Sequence, residues 1–233
     1  MPIPQPDDPL PQGEAKVAAV REMFDTIAPR YDLVNRVMTF RMDVGWRRTT
    51  VASLGLAKGA TVADLASGTG DLCVELVRRG YRPVSVDLSM GMLAADRSRV
   101  PRLQADVLQL PVAAATIDGA TCGFALRNLV ELDPFFAELA RVLRPGGRVA
   151  LLEVATPPNA LLRAGHRAYF GSVVPLVGGL LSNPAAYRYL PRSVAYLPPP
   201  AELLARLAEA GFADVDRRLL SAGIAQLVTA TRR

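Results

Sequence analysis

Apolar residues first recur at helical spacing at Val17, Val20, Met23, Phe24 and Ile27, predicting one helix that Pro29 ends. A second helical segment covers 31–39, and a third runs from Asp43, read as its N-cap, to Leu54. From residue 60 short apolar runs take over. They predict strands at 61–66, 83–87, 102–105, 119–124 and 147–153, with helices near 70–79, 89–97 and 133–143. Such alternation implies a parallel sheet with right-handed crossovers. The Arg144-Pro145-Gly146-Gly147 turn stops a helix ahead of the fifth strand. A last helix at 201–210, Gly211, and strands at about 213–219 and 223–230 close the chain. The expected fold is α/β and Rossmann-like: a mostly parallel seven-stranded sheet with helices on both faces.

Residues 156–200 break this rhythm. They are rich in proline and carry an apolar stretch, Tyr169 to Leu181, interrupted by Gly171, Ser172 and Gly178-Gly179. The stretch reads either as core packing or as an insertion across the C-terminal ends of the strands, where open α/β sheets bind ligands. The expected organisation is a disordered segment at 1–13 and a single domain at 14–233. Within that domain, N-terminal helices fill 14–57 and a cap insertion fills 156–200.

The length of 233 residues fits one domain, and a hydrophobic share of 50% supplies its core. Cys73 and Cys122 fall in apolar elements and read as packing residues, with no metal-ligand cluster around them. One histidine, His166, rules out a His-rich metal site; it lies in the cap segment, a tempting base, but is read as a surface or structural residue. The N-terminus has no signal-peptide pattern and no apolar run reaches ~20 residues, so a cytoplasmic location is expected. Net charge is +5 with only Lys16 and Lys58 as lysines. Arginine pairs such as Arg47-Arg48, Arg78-Arg79 and Arg217-Arg218 read as a solvated surface, with an anionic membrane surface as the alternative partner.

The chemistry concentrates in Val62-Ala63-Asp64-Leu65-Ala66-Ser67-Gly68-Thr69-Gly70-Asp71. A strand runs into a small-residue turn that opens a helix. Backbone amides there approach a ligand closely, and the helix N-terminus turns its partial positive charge toward it. Asp87 ends the second strand, where a carboxylate suits the hydroxyls of a ribose. The third glycine of the dinucleotide fingerprint is replaced by Cys73. Asp64 instead places an acid before the turn, which repels phosphate and suits a cationic amino-acid group. Asp106, after the third strand, would flank an adenine. Three acids at three successive strand ends favour S-adenosylmethionine over NAD; the plainer account is that each acid caps a turn or helix.

These residues point to a class I methyltransferase, and the wider chain resembles the UbiE/MenG methyltransferases of ubiquinone and menaquinone biosynthesis. The resemblance is carried by Tyr31-Asp32-Leu33-Val34-Asn35, Thr39 and Trp46, then by Phe124-Ala125-Leu126-Arg127-Asn128. Arg141-Val142-Leu143-Arg144-Pro145-Gly146-Gly147 and Glu153-Val154-Ala155 follow, then Ala186-Tyr187-Arg188-Tyr189-Leu190 with Ser193, and Ala210-Gly211-Phe212. It covers about residues 20–230. The chain departs from the pattern at Asp43 and Ala155, at Gly123, where a cofactor-contacting Ser is common, and in lacking a C-terminal His; these changes bear on the quinone more than on the reaction.

The resemblance implies C-methylation of a polyprenylated demethylquinol, most simply demethylmenaquinol; a phenolic secondary metabolite methylated at carbon or oxygen is the alternative. It implies cofactor contacts at Gly68, Thr69 and Gly70 for the amino-acid end, Asp64 for the ammonium, Asp87 for the ribose, Asp106 and Val107 for the adenine, and Gly123. Arg127 would orient a water or ring oxygen, Asn128 would bond the quinol, and Tyr31 would donate to the same oxygen. The plainer reading of Arg127 is an ion pair to Glu131 or Asp133, and that of Tyr31 is core packing. The expected partners are the prenylated quinol, a transient membrane surface and a second copy of the chain. Nucleic acid is not expected: aromatics are only 6% and Ala125-Leu126-Arg127-Asn128 stands where base methylation would place a polar-Pro-Pro-aromatic tetrapeptide.

Overall fold

The computed structural model describes residues 12–174, 176, 179 and 192–233. Of the disorder expected at 1–13, residues 1–11 lie outside the described residues, as does the Tyr187-Arg188-Tyr189-Leu190 motif, while Gly13 already opens a helix.

Three helices lead the chain: α1 (Gly13–Ile27), α2 (Tyr31–Met38) and α3 (Met42–Ser53), with a short 3-10 turn holding Pro29 between the first two. Strands β1 (Thr61–Leu65), β2 (Arg82–Asp87), β3 (Arg102–Gln104), β4 (Ile117–Gly123) and β5 (Leu143–Val154) then alternate with α4 (Asp71–Arg78), α5 (Met90–Ala95) and α6 (Leu132–Val142). After β5 come α7 (Ala160–Ala168), α8 (Pro200–Glu209), β6 (Phe212–Leu220) and β7 (Ala225–Arg232). The sheet runs β3-β2-β1-β4-β5-β7-β6, parallel except that β7 lies antiparallel between β5 and β6.

The central strands are apolar on both sides because both sides are covered. Ala63, Leu65, Val149, Leu151 and Val228 meet Phe135, Phe136 and Leu139 of α6 and Leu203 and Leu207 of α8. Their neighbours Val62, Ala150 and Leu227 face the opposite way, onto Val51 of α3, Leu54 just after it, and Leu72 and Leu76 of α4. A separate cluster of Met23, Ile27, Val34 and Met92 ties α1 and α2 to α5 at the sheet's C-terminal edge.

Two local expectations change. Asp43 does not cap α3: Arg41, with φ +62°, precedes the helix, and Asp43 sits inside the first turn, fully buried. The fifth strand begins earlier than its apolar run, at Leu143, and the register shifts between Ile117 and Gly119 of β4, so the Pro-Gly-Gly turn rides within the strand as a bulge.

Candidate active site

The turn after β1 bends through left-handed backbone at Ala66 (φ +51°), Gly68 (φ +57°) and Gly70 (φ +80°). A side chain at Gly70 would collide with the Asp96 carboxylate, 2.3 Å from its Cβ position. Asp87 stabilises the turn from β2: its carboxylate accepts from the Gly68 and Ser89 amides, each at 2.8 Å. Burial raises the Asp87 pKa against the lowering by those amides. Asp106 is exposed and accepts from the Leu108 amide at 2.9 Å, while Val107 is buried beside it.

Gly68, Asp87, Asp106, Val107 and Gly123 line one cavity of about 120 Å³, roofed by Val17, Val20, Arg21 and Phe24 of α1. The roof is fastened where Asp25 accepts from Ser89 Oγ and from the Gly91 amide at 2.9 Å. A second space of about 40 Å³ lies over the turn itself, between Gly68, Thr69, Asp71, Gly123 and Arg47. Thr69 donates to the buried Asp32. Gly70 starts α4 and lines neither space. Asp64 lies beneath the turn with no exposure, accepting from Thr121 Oγ1 at 2.7 Å and from Cys73 Sγ at 3.5 Å. Burial pushes its carboxyl up to about 7, and it lines none of the cavities described.

A third cavity, of about 390 Å³, is mostly apolar, with Met38, Phe40, Trp46, Leu161, Leu162 and Phe170 in its walls. Tyr31 and Phe124 line all three spaces and form their junction. Phe124 follows β4 with φ +59°, an uncommon conformation for a bulky residue. It aims a ring at Trp46, 6.1 Å away, and points its carbonyl at Arg127. Burial raises the Tyr31 phenol above its ordinary pKa, against a hydrogen bond to Asn35 and the Arg127 and Arg47 charges.

Arg127 and Asn128 share a 3-10 turn, Leu126–Asn128, yet part company. Arg127 faces the large cavity and Asn128 the 120 Å³ one. The expected ion partner is also different. Arg127 pairs with Glu153 of β5, not with Glu131 or Asp133, and both members are buried. It further donates to the Phe124 carbonyl at 2.8 Å and to Ser193 Oγ at 3.1 Å.

Arg47, read from sequence as surface, is 8% exposed and pairs with Asp43 and, at 3.4 Å, with Asp71. The Asp43-Arg47 spacing of four along a helix was the available signal for that contact. Glu153 falls in one of the motifs that carry the family resemblance, but at 26 residues from Arg127 nothing local announced that the two would pair. His166 lies on the large cavity's wall with its ring 4.3 Å from that of Phe170.

The family model for the ubiE/COQ5 methyltransferase family matches residues 12–232. The chain belongs to that family. Among curated relatives, the ubiquinone/menaquinone biosynthesis C-methyltransferase UbiE of Syntrophotalea carbinolica is 42% identical over 221 residues, covering 91% of this chain and 93% of that one. A demethylmenaquinone methyltransferase of Roseiflexus sp. is 40% identical over 234 residues, covering 96% and 98%. Among solved structures, a SAM-dependent methyltransferase of Thermotoga maritima superposes with a TM-score of 0.65 at 18% identity, covering 91% and 99%, which supports the fold.

This ubiE/COQ5 family member is a methyltransferase whose methyl donor is S-adenosylmethionine. The donor set fits it. The spaces at the strand ends offer carboxylates and a hydroxyl, the one guanidinium over the turn is already balanced by two acids, and Gly68 leaves the backbone open to a ligand.

Proposed function

We propose that this methyltransferase C-methylates a polyprenylated demethylquinol, most simply demethylmenaquinol to menaquinol. The observation that carries the reading is the junction at Tyr31 and Phe124, which line both the spaces around the glycine turn, with their carboxylates Asp87 and Asp106, and one large apolar cavity. A polar donor and a greasy acceptor meet only at such a junction. The relatives named demethylmenaquinone methyltransferase support demethylmenaquinol as the acceptor.

In this reading Thr69 and the turn at Gly68 line the donor's amino-acid end, Asp87 accepts from its ribose hydroxyls, and Asp106 with Val107 flanks its adenine, against Gly123. Gly70 lets the turn close over Asp96. Asp64 supports the turn from below, and its charge reaches the ammonium through the turn. S-adenosylmethionine supplies an electrophilic methyl group on a sulfonium. The ring carbon becomes nucleophilic as a ring oxygen loses its proton. Arg127, held by Glu153 and Ser193, directs its cationic face at that oxygen, and Tyr31 donates to it from the junction. Asn128 serves the donor's side of the site, not the quinol's.

The prenyl tail leaves through the mouth of the large cavity. Phe40, Leu161 and Leu162 line that cavity and are also 72%, 81% and 48% exposed, so they mark its rim. Arg163 and Arg167 stand on the same helix. A rim of apolar side chains with neighbouring arginines suits the surface of an anionic bilayer, from which the tail is drawn. Among the described residues no helix is long and apolar enough to cross a membrane. The test is incubation with demethylmenaquinol and methyl-labelled donor. Label on the ring carbon supports the reading; label on oxygen, or none, overturns it.

A further inference from the structure

His166 is the only histidine in the chain, and it reaches the large cavity from α7. Its ring leans on Phe170 and its Nε2 is sealed from solvent, with no hydrogen-bond partner among the described residues. A sheltered imidazole nitrogen without a partner carries a desolvation cost unless a ligand satisfies it.

The other ionisable groups on that cavity's walls are already engaged. Asp43 of α3 accepts from Thr39 and Arg47, and Arg47 also reaches Asp71. Arg127 is paired with Glu153. The Tyr169 hydroxyl donates to the Met38 carbonyl at 2.8 Å, and Tyr31 is a phenol held above its ordinary pKa by burial. On α7 itself, Arg163 and Arg167 flank His166 as cations and accept no proton. Burial also lowers the His166 pKa, which keeps the imidazole neutral and able to accept at neutral pH.

We infer that His166 Nε2 is the general base of this enzyme, taking the proton from a quinol hydroxyl as the ring attacks. This rests on the quinol reading of the large cavity. The hydroxyl O–H bond breaks, its electron pair stays on the ring oxygen, and a new N–H bond forms on Nε2. The quinolate carbon then bonds to the methyl group as the methyl–sulfur bond breaks, which leaves a keto tautomer. The ring C–H proton is lost to water and the imidazolium returns its proton to the ring oxygen, restoring the quinol. The net release of one proton matches replacement of a ring hydrogen by methyl, since the sulfonium donor leaves as a neutral thioether. Arg127 stabilises the developing oxyanion from its side of the cavity.

A sole histidine permits a direct test with untagged protein labelled with ¹⁵N-histidine. Binding of demethylmenaquinol with a short prenyl tail, in the presence of the demethylated donor product, should shift the Nε2 resonance. The free enzyme's imidazole should titrate below the ordinary value of about 6.5. His166→Gln keeps a polar side chain without a base, and His166→Phe keeps the packing on Phe170. Both should lower kcat by about 10²-fold or more and abolish the acid limb of its pH profile, with donor affinity unchanged by calorimetry. If the wild-type enzyme fails to methylate the quinol, the quinol reading falls and this inference with it. If it turns over while both variants keep its kcat and pH profile, or the Nε2 resonance ignores the quinol, His166 is not the base and the quinol reading survives.

Discussion

The Arg127 guanidinium and the Glu153 carboxylate, carried just past the end of β4 and on the last turnings of β5, form a buried ion pair in the wall of the acceptor cavity. The pair fixes one cation on the wall of the large cavity. It also splits Arg127 from its neighbour Asn128, which faces the 120 Å³ cavity and so, in the proposed reading, the donor.

That split gives a kinetic prediction. Arg127→Lys keeps the charge and loses the planar fork that engages Glu153, Ser193 and the Phe124 carbonyl. Its kcat should fall by about 10-fold or more while donor KM holds. Asn128→Ala should instead raise donor KM by roughly five-fold, the loss of about one hydrogen bond. Glu153→Gln, which leaves a buried guanidinium uncompensated, should cost about 3–5 kcal/mol in urea unfolding. Equal effects of the first two substitutions on donor and quinol would sink the division of labour.

Asp87 joins the glycine turn to the second strand through the Gly68 and Ser89 amides. Asp87→Ala removes those bonds together with the ribose acceptors. Donor affinity measured by calorimetry should weaken by roughly 10- to 100-fold, as expected for charge-assisted hydrogen bonds worth about 1.5–3 kcal/mol. Unchanged affinity would move the ribose elsewhere.

Asp64 predicts a pH dependence of stability. An aspartate in the unfolded chain titrates near 3.9, whereas burial raises Asp64 in the fold to about 7. Between those values the folded chain holds the extra proton, so stability falls as pH rises from about 4 to 7 and levels off above. The loss is at most ~4 kcal/mol. Asp64→Asn keeps an acceptor for Thr121 and removes this contribution, so its stability relative to wild type should improve from pH 5 to pH 8. A difference that stays constant across those pH values in urea unfolding refutes the assignment.

The rim of the acceptor cavity predicts lipid dependence. Arg163→Glu combined with Arg167→Glu should reduce flotation with phosphatidylserine-containing vesicles, at about 1 kcal/mol for each residue near the surface. Turnover of a long-tailed quinol on vesicles should fall with it, and turnover of a tail-less analogue in solution should not. Unaltered flotation removes the membrane from the picture.

What the sequence discloses about this site is what lies within a few residues. The strand, turn and helix around Gly68 and the carboxylate ending β2 are local patterns, and the helix and strand periods place them at one sheet edge. Contacts made by tertiary packing are not written locally. Glu153 looks like any polar residue ending a strand, and Arg47 looks like half of a surface pair until α3 packs over the turn. Arg127 and Asn128 read as one motif because they adjoin, but the tight 3-10 turn sends successive side chains about 120° apart. His166 reads as a surface residue because, although its spacing of four from Phe170 permits the stack, nothing near it in the chain announces the cavity.

The position of β7 bears on how the protein is made. Glu153 pairs with Gln226 across the β5–β7 ladder, and β6 joins the sheet only through β7. On the ribosome, the glycine turn, Asp87, Arg127 and Glu153 all emerge before the strand that seals β5 exists. Until β7 arrives, β5 is an open sheet edge of the kind that recruits stray strands. A message cut short before Ala225 would thus yield a chain with the glycine turn, Asp87, Arg127 and Glu153 all encoded and its sheet left unzipped beside them.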